Sequence, residues 1–416
     1  MNVLLPFISI FYFISQFFLF TNFLSDDKKS TKTPECGVES YTKSVLEKKP
    51  HLKPENNAAY KTLEQLQNKN NKTSSSRYII PVVVHIVHDF GLENLNLGAI
   101  IGGITDLNAA MRLMTQNNEF IHPNFDGIKT DTEIEFILAR YDPDGNPTGS
   151  ILRHRNSFYT QNGNSEGMRL DYHWPRSMYL NIYIVRQPFP DSASSGFATF
   201  PYLVNNAEDA YLDGIVLAYW AFGRHNNLYK EWYYLVAHEV GHWLNLRHTW
   251  GADEDNSCDE DDGIPDTPNT TGNVYVNRSE CSNTSFQCNT LDNITNMMDY
   301  ASPCQAMFTT DQTTRMHNVL NSPIADRNNI HSPQNLAFTL GFAIEEVCED
   351  EILILDNSLT TENIAANNSI TTNGLIQNTY SIALNAADKI RLISGFKVEA
   401  GATFKAYNFP CSSVNQ

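Results

Sequence analysis

The run His238-Glu239-Val240-Gly241-His242-Trp243-Leu244-Asn245-Leu246-Arg247-His248 brings together three imidazoles and a carboxylate at spacings that suit a metal ion. His238 and His242 are four apart, so on a helix they stand on one face, one turn apart, and can grip a single ion. Glu239 lies beside them, within reach of water at that ion. Zinc lowers the pKa of bound water towards neutrality, and the carboxylate can accept its proton and later pass it to a leaving amine. This is the chemistry of peptide-bond hydrolysis. His248 is six residues beyond His242, and on a continuing helix it would lie about 240° further round. The helix must therefore break between the two. Asn245 stands where the break is needed, and after glycine asparagine best tolerates the left-handed conformation that ends helices.

The pattern His-Glu-x-x-His by itself recurs by chance on helices. The sixth-place histidine with a helix-ending residue before it is what lifts this run above coincidence. His85 and His88, three apart on an expected strand, would face opposite sides and read as structural.

Elements able to position the run are legible on either side of it. Tyr78–His88 (YIIPVVVHIVH) is a dense β-branched run, the pattern of an interior strand covered on both faces. Leu97, Ile100, Ile101, Ile104, Leu107 and Met111 follow at helical spacing. Further strands are expected at Ile134–Tyr141, Met178–Val185, Phe197–Phe200 and Gly214–Ala218. The metal helix is expected from Leu228 to Leu246, and another helix from Thr309 to Leu320 with Thr309 and Gln312 as a capping box. This order implies an α+β domain with the metal helix laid against a sheet.

The chain has 416 residues, long enough for two or three domains. Its charge of −18, with no dense Lys/Arg stretch, argues against nucleic acid or an anionic membrane as partner. Four units are expected. Residues 1–25, apolar from Val3 to Leu24, form a signal peptide or an uncleaved anchor, so the body is secreted or on the cell surface, touching a membrane only if that segment stays. Residues 26–76 are polar and read as a mobile pro-segment with some helix, open to cleavage between Lys69 and Arg77. Residues 77–332 form the catalytic domain. Residues 333–416 form a small all-β module of short strands and Asn/Thr/Gly turns.

There are seven cysteines. Cys258, Cys281, Cys288 and Cys304 make no CxxC pair, so two disulfides, in any of three pairings, are a better reading than a second zinc site. Cys348 and Cys411 could bracket the β module. Cys36 is left over; as a thiolate it could take the fourth position on zinc and keep the enzyme latent. The acidic stretch Asp253, Glu254, Asp255, Asp259, Glu260, Asp261, Asp262, Asp266 with Thr267 is rich in hard oxygen donors but lacks EF-hand spacing.

The zinc run, with DDGIPDTPN, NMMDY and PCQAMFTTDQTTRM after it, resembles the pappalysin family of the metzincin clan, in particular its ulilysin-like, cytophagalysin branch. The resemblance spans Arg77 to Asn329 and departs from the family pattern at Asn245, where glycine is usual. It implies a metzincin-type domain with a mixed, mostly parallel sheet, the metal helix and a Met-turn. It implies His238, His242 and His248 as zinc ligands, Glu239 as general base, Met298 as the apolar floor below the metal, and Tyr300 as a helper of the oxyanion. It implies an upper-rim edge strand at Gly196, Phe197, Ala198 and Thr199 for extended substrates, the pairings Cys258–Cys288 and Cys281–Cys304, calcium in the acidic loop, and a latency role for Cys36. The function implied is that of a secreted zinc endopeptidase made with a latency leader, acting as a monomer on proteins or peptides. The alternative is a secreted adhesion protein in which the β tail functions and the peptidase fold is a remnant.

Overall fold

The computed structural model describes residues 36–66, 77–162, 164–190, 194–223, 234–251, 258–272, 280–282, 284–301, 303–341, 351–355, 359, 363–366, 369–378, 380–386 and 388–407. The expected signal or anchor at 1–25, most of the expected cleavage stretch, Asp253, Glu254, Asp255, Cys348 and Cys411 lie outside them. Among the described residues no helix is long and apolar enough to cross a membrane.

Strand β1 (Tyr78–His88) is buried along its whole length, as its β-branched run requires. Its neighbours are β2 (Ile134–Leu138), β3 (Ile151–Arg155) and β4 (Leu180–Val185), all parallel to it. β2 and β3 share one edge, β2 pairing with Tyr78–Val82 and β3 with Val84–His88. β5 (Gly196–Ala198) and β6 (Ile215–Ala218) extend the other side in the order β4-β6-β5, β6 parallel to β4 and β5 antiparallel to β6. The sheet is thus mixed and mostly parallel, in an α+β fold. β3, with its exposed Arg153 and Arg155, escaped the sequence reading because it lacks an apolar run. The expected strands Ile134–Tyr141 and Phe197–Phe200 end early, at Leu138 and Ala198, and Met178–Val185 and Gly214–Ala218 begin late, at Leu180 and Ile215.

One face of the sheet carries α3 (Leu97–Met111), which buries Ile100, Ile104, Leu107 and Met111 and is capped by Asn96 accepting from the Ala99 amide at 2.9 Å. α4 (Leu235–Trp243) packs against α3, β5 and β6. α5 (Thr310–Leu320) begins in the capping box between Thr309 and Gln312. The end of α4 is clamped by a buried ion pair. Asp213 accepts from Trp243 Nε1 at 2.9 Å and from Arg327 Nη1 and Nη2 at 2.5 and 2.8 Å. The Arg327 guanidinium also lies 4.0 Å from the Trp243 ring centre.

Two expectations need correction. Residues 333–340 are not part of a β module: they form helix α6 (Pro333–Leu340), capped by Ser332, whose Leu336 and Leu340 pack on Ile79 of β1. The β tail proper is described from Glu351, and its strands are parallel. Glu351–Ile354, Ser369–Thr372 and Lys389–Leu392 stack as one ladder; Asn363–Ala366, Ser381–Ala386 and Thr403–Tyr407 stack as another. This is a small coil of stacked turns around Ile370, Ile376, Ile382 and Leu384, with an apolar core of its own.

Residues 36–66 of the segment expected to be a mobile leader are packed. α1 (Val38–Lys48) buries Val38, Tyr41 and Val45, and α2 (Ala58–Leu66) buries Ala59 and Leu63. Tyr41 stacks on Phe197 at 4.3 Å and its hydroxyl accepts from Arg169 at 2.8 Å. Asn318 on α5 donates to Leu66 O at 2.8 Å. A polar composition hid a few apolar residues spaced to one side, and their burial needs a neighbouring surface that sequence does not display.

Truncation of Asp213 would strand a buried guanidinium. Asp213→Ala is expected to cost about 3–5 kcal/mol in urea unfolding. A loss below about 1 kcal/mol would show that the clamp is not needed to hold α4.

Candidate metal centre

His238 and His242 project from one face of α4 and are both buried. Their Nε2 atoms are 3.1 Å apart, and the Nε2 atom of His248 is 3.1 Å from each. Three backbone events bring His248 there. Asn245 N donates to His242 O at 2.9 Å, Leu246 N donates to Gly241 O at 2.8 Å, and Asn245 itself has φ +68°. These are the paired bonds of a Schellman turn, with Asn245 in its left-handed position. The chain then reverses, and His248 returns to the face it would otherwise have left.

The histidine tautomers follow from their outer partners. His238 Nδ1 faces Met297 O at 2.7 Å and His242 Nδ1 faces Leu246 O at 2.8 Å, so each Nδ1 must carry the hydrogen. His248 Nδ1 faces the Glu39 carboxylate of the leader. The Nε2 atoms of His238 and His242 therefore turn bare lone pairs towards each other, and the carboxylate beside Nδ1 of His248 favours the same tautomer there. Three such lone pairs repel unless a cation lies among them, and their separation is within a few tenths of an ångström of the ~3.4 Å that tetrahedral zinc with ~2.1 Å bonds would set. Burial, then the neighbouring histidines, hold His238 down to about 3 and His242 well below the usual value, so both stay neutral and able to ligate.

Cys36 completes the group: its Sγ and the three Nε2 atoms all lie within 4.8 Å of one another. Among the described residues this is the one such group of histidine, cysteine or carboxylate side chains. Its thiol also donates to Glu239 Oε2 at 3.6 Å. Burial, with Glu239 and Glu39 adding to it, pushes the thiol well up. Glu239 is fully buried, and burial raises it to about 8 against the hydrogen bonds from Cys36 and the Ala198 amide. Its Oε1 has no hydrogen-bond partner.

The surroundings fix the ligands from below and behind. Met298 is fully buried under α4, and a Cβ on Gly241 would meet its sulfur, so any side chain there would force Met298 to shift. The turn carrying Met298 is held by Asn296 Oδ1 accepting from Met298 N at 2.9 Å and by a reciprocal pair of 3.1 Å bonds between Asn296 and Gln312. Trp250 stacks on His248 at 4.5 Å and Tyr300 stands edge-on to the same ring at 4.7 Å. The Tyr300 hydroxyl donates to Cys36 O at 3.3 Å. Cys258 is bonded to Cys288 and Cys281 to Cys304, tying down the loops on both sides of this turn.

The leader reaches the centre by pairing with β5. Gly37 N donates to Gly196 O at 2.7 Å, and Cys36 lies parallel to Gly196. β5 uses its other edge for β6, so the leader covers the edge left open. Thr199 instead turns inward, its hydroxyl donating to Leu212 O at 2.7 Å and accepting from Arg169.

The acidic loop is engaged within the protein. Asp262 Oδ1 accepts from Ile264 N and the Thr267 hydroxyl at 2.9 and 2.7 Å; Asp266 accepts from the Thr309 hydroxyl and Asp311 N at 2.6 and 2.9 Å. These bonds close the loop and cap α5. His85 is buried between His154 at 3.2 Å and Asn181 at 3.1 Å, away from this centre, and burial lowers it to about 3. The sequence reading missed Glu39 and Trp250, neither of which has a motif; Trp250 follows His248 by two residues and stacks on it, and the packing of α1 brings Glu39 there.

A family model described as Pregnancy-associated plasma protein-A matches residues 163–321. An extracellular metalloprotease of Colletotrichum graminicola is 35% identical over 144 residues, which cover 33% of this chain and 48% of that protein. One of Arthroderma otae is 26% identical over 191 residues, covering 40% of this chain and 66% of that protein. The chain spans about half the length of the first of these curated relatives. Among solved structures, mature mirolysin of Tannerella forsythia in complex with a cleaved peptide is 31% identical, with a TM-score of 0.55, covering 64% of this chain and 99% of that one. Promirolysin is 28% identical, with a TM-score of 0.60, covering 74% and 99%.

The left-handed turn is the geometric hinge of the site. Asn245→Gly is expected to keep its metal and stay within about 1 kcal/mol of the parent. Asn245→Val should cost about 1–2 kcal/mol and release metal on dialysis, read by elemental analysis and urea unfolding. Full metal retention by the valine variant would mean that His248 does not depend on this turn.

Proposed function

Because the chain belongs to the pappalysin family of metzincins, we propose that it is an extracellular zinc endopeptidase kept latent by its own leader. The observation that carries this reading is the triangle of Nε2 atoms, 3.1 Å on each side, with Glu239 alongside and the Cys36 thiol against it. The curated relatives named above are extracellular metalloproteases. The promirolysin structure also covers more of this chain than the mature one does.

His238, His242 and His248 would hold the zinc. When bound, it would acidify water and polarise a peptide carbonyl. Glu239, with Oε1 unpartnered, takes the proton of the attacking water and delivers it to the leaving amine. Once the leader leaves, the open edge of Gly196–Ala198 can pair with an extended substrate, and the Tyr300 hydroxyl, released from Cys36 O, can donate to the oxyanion. Met298 keeps the floor apolar, so the imidazoles stay dry and oriented.

Three units follow from this reading: a leader ending before Arg77, a peptidase unit that includes α6 and ends near Gly341, and the stacked β tail. The substrates are proteins or peptides and the working form is a monomer. Of the two metals expected from sequence, zinc has a gathered donor set among the described residues. The calcium reading rests on the loop carboxylates alone. The adhesion alternative gives no reason to keep Glu239 beside three converging histidines.

Wild type and Glu239→Ala are expected to bind zinc equally, while cleavage of a denatured protein by leader-free enzyme falls about 10²–10⁴-fold in the variant. Zinc in neither protein would refute the reading. With the leader uncut, Cys36→Ala should be several-fold more active than wild type; equal activity would rule out the thiol as the latency device.

A further inference from the structure

Two arginines of the peptidase unit converge on one carboxylate of the leader. Glu64 on α2 places Oε1 2.8 Å from Arg315 Nη2 and 3.3 Å from Arg247 Nη2. Tyr60, one turn earlier, accepts from Arg247 through its hydroxyl. Arg315, on α5, is 3% exposed beneath α2, and its Nε has no partner. Burial lowers its pKa to about 10 against the pull of Glu64. Arg247 directly precedes the metal-site residue His248 and keeps a quarter of its side chain exposed. It lines a cleft of about 670 Å³ together with Phe200, Tyr202, His248 and the leader's Glu39 and Tyr60.

The leader therefore forms one wall of the cleft beside the metal centre, and its Glu64 sets an anion against the two arginines. When it leaves, Arg315 loses its cover and both arginines lose their shared acceptor. Asp262 attracts Arg315 through its charge and gives it a backbone oxygen at 3.3 Å, but its carboxylate makes no hydrogen bond to the guanidinium: Oδ1 is committed to Ile264 and Thr267 and Oδ2 has no partner; Glu260 lines the cleft.

We propose that Arg247 and Arg315 form a carboxylate-binding subsite next to the metal centre, held by Glu64 in the leader-covered chain and by an acidic side chain of the substrate afterwards. The proposal rests on the peptidase reading above and adds the substrate chemistry at one position. The chain's charge of −18 favours basic partners at long range, but salt screens that field over about 8 Å, whereas paired guanidinium contacts act at hydrogen-bond distance. The local site decides the preference.

The test uses the full-length chain with a specific protease site inserted between Leu66 and Arg77, cut and freed of its leader. Peptides differing only by Glu or Gln at single positions around the cleaved bond are compared. Wild type should favour Glu at one position by about tenfold in kcat/KM, and Arg247→Gln should narrow the difference several-fold while Arg315 remains. A ratio near one at every position, or a preference undiminished in Arg247→Gln, overturns the subsite. A second readout is independent of catalysis: binding of a synthetic leader peptide covering residues 36–66. Its Glu64→Gln form should bind wild type about tenfold more weakly than the parent peptide, and the gap should shrink in Arg247→Gln, where Arg315 alone faces Glu64. If no peptide is cleaved, the peptidase reading fails, and leader binding still decides: equal affinity of the two leader peptides for wild type would end the proposal.

Discussion

Everything at the centre depends on where α4 stops. Two imidazoles four residues apart come free with any helix, but a third six residues later faces away unless the chain reverses. The reversal is made by two backbone hydrogen bonds around Asn245 in the left-handed conformation. From it follow the triangle of lone pairs, the stacking of Trp250 on His248, and the return of the chain past Met298. The Asp213–Arg327 pair on Trp243 and the absent side chain at Gly241 fix the same helix end from the two other directions.

Gathering three lone pairs and a carboxylate in a dry pocket is costly without a cation, and the leader adds a thiol there rather than removing charge. It meets the open edge of β5 through the bridge of Cys36 to Gly196 and the bond from Gly37 N, so the backbone pairing that edge could offer an extended chain is taken there. Its two helices then cover the cleft beyond. Apolar contacts through Tyr41, Val45 and Leu63 supply the burial, and Glu39 and Glu64 place anions against His248 and the two arginines. The leader thus meets three features at once: the converging histidines, the open edge of β5 and the two arginines.

The reading of residues 26–76 and of the C-terminal end shows where sequence patterns run out. A polar leader and a polar loose segment have the same composition; a few apolar residues decide between them, and only if a surface exists to receive them. α6 was hidden because it is only two turns long and directly precedes a tail of short β-like pieces, to which its apolar residues read as belonging. In the tail, the strands were visible but their pairing was not. Stacked parallel ladders join residues roughly twenty apart, beyond any local turn signal.

The sequence by itself determined the donor set: His238, His242, Glu239 and His248 at their spacings, the break at Asn245, the capping box at Thr309 and the buried run of β1. Each of these is local, set by backbone geometry within one or two turns, and local geometry is written in residue order. Tertiary structure alone decided what meets that set from afar. Cys36 lies 203 positions from Glu239, Glu64 lies 251 from Arg315, and Tyr300 lies 264 from Cys36. Such contacts depend on which surfaces are left open after the sheet and helices have packed, and no spacing along the chain encodes that.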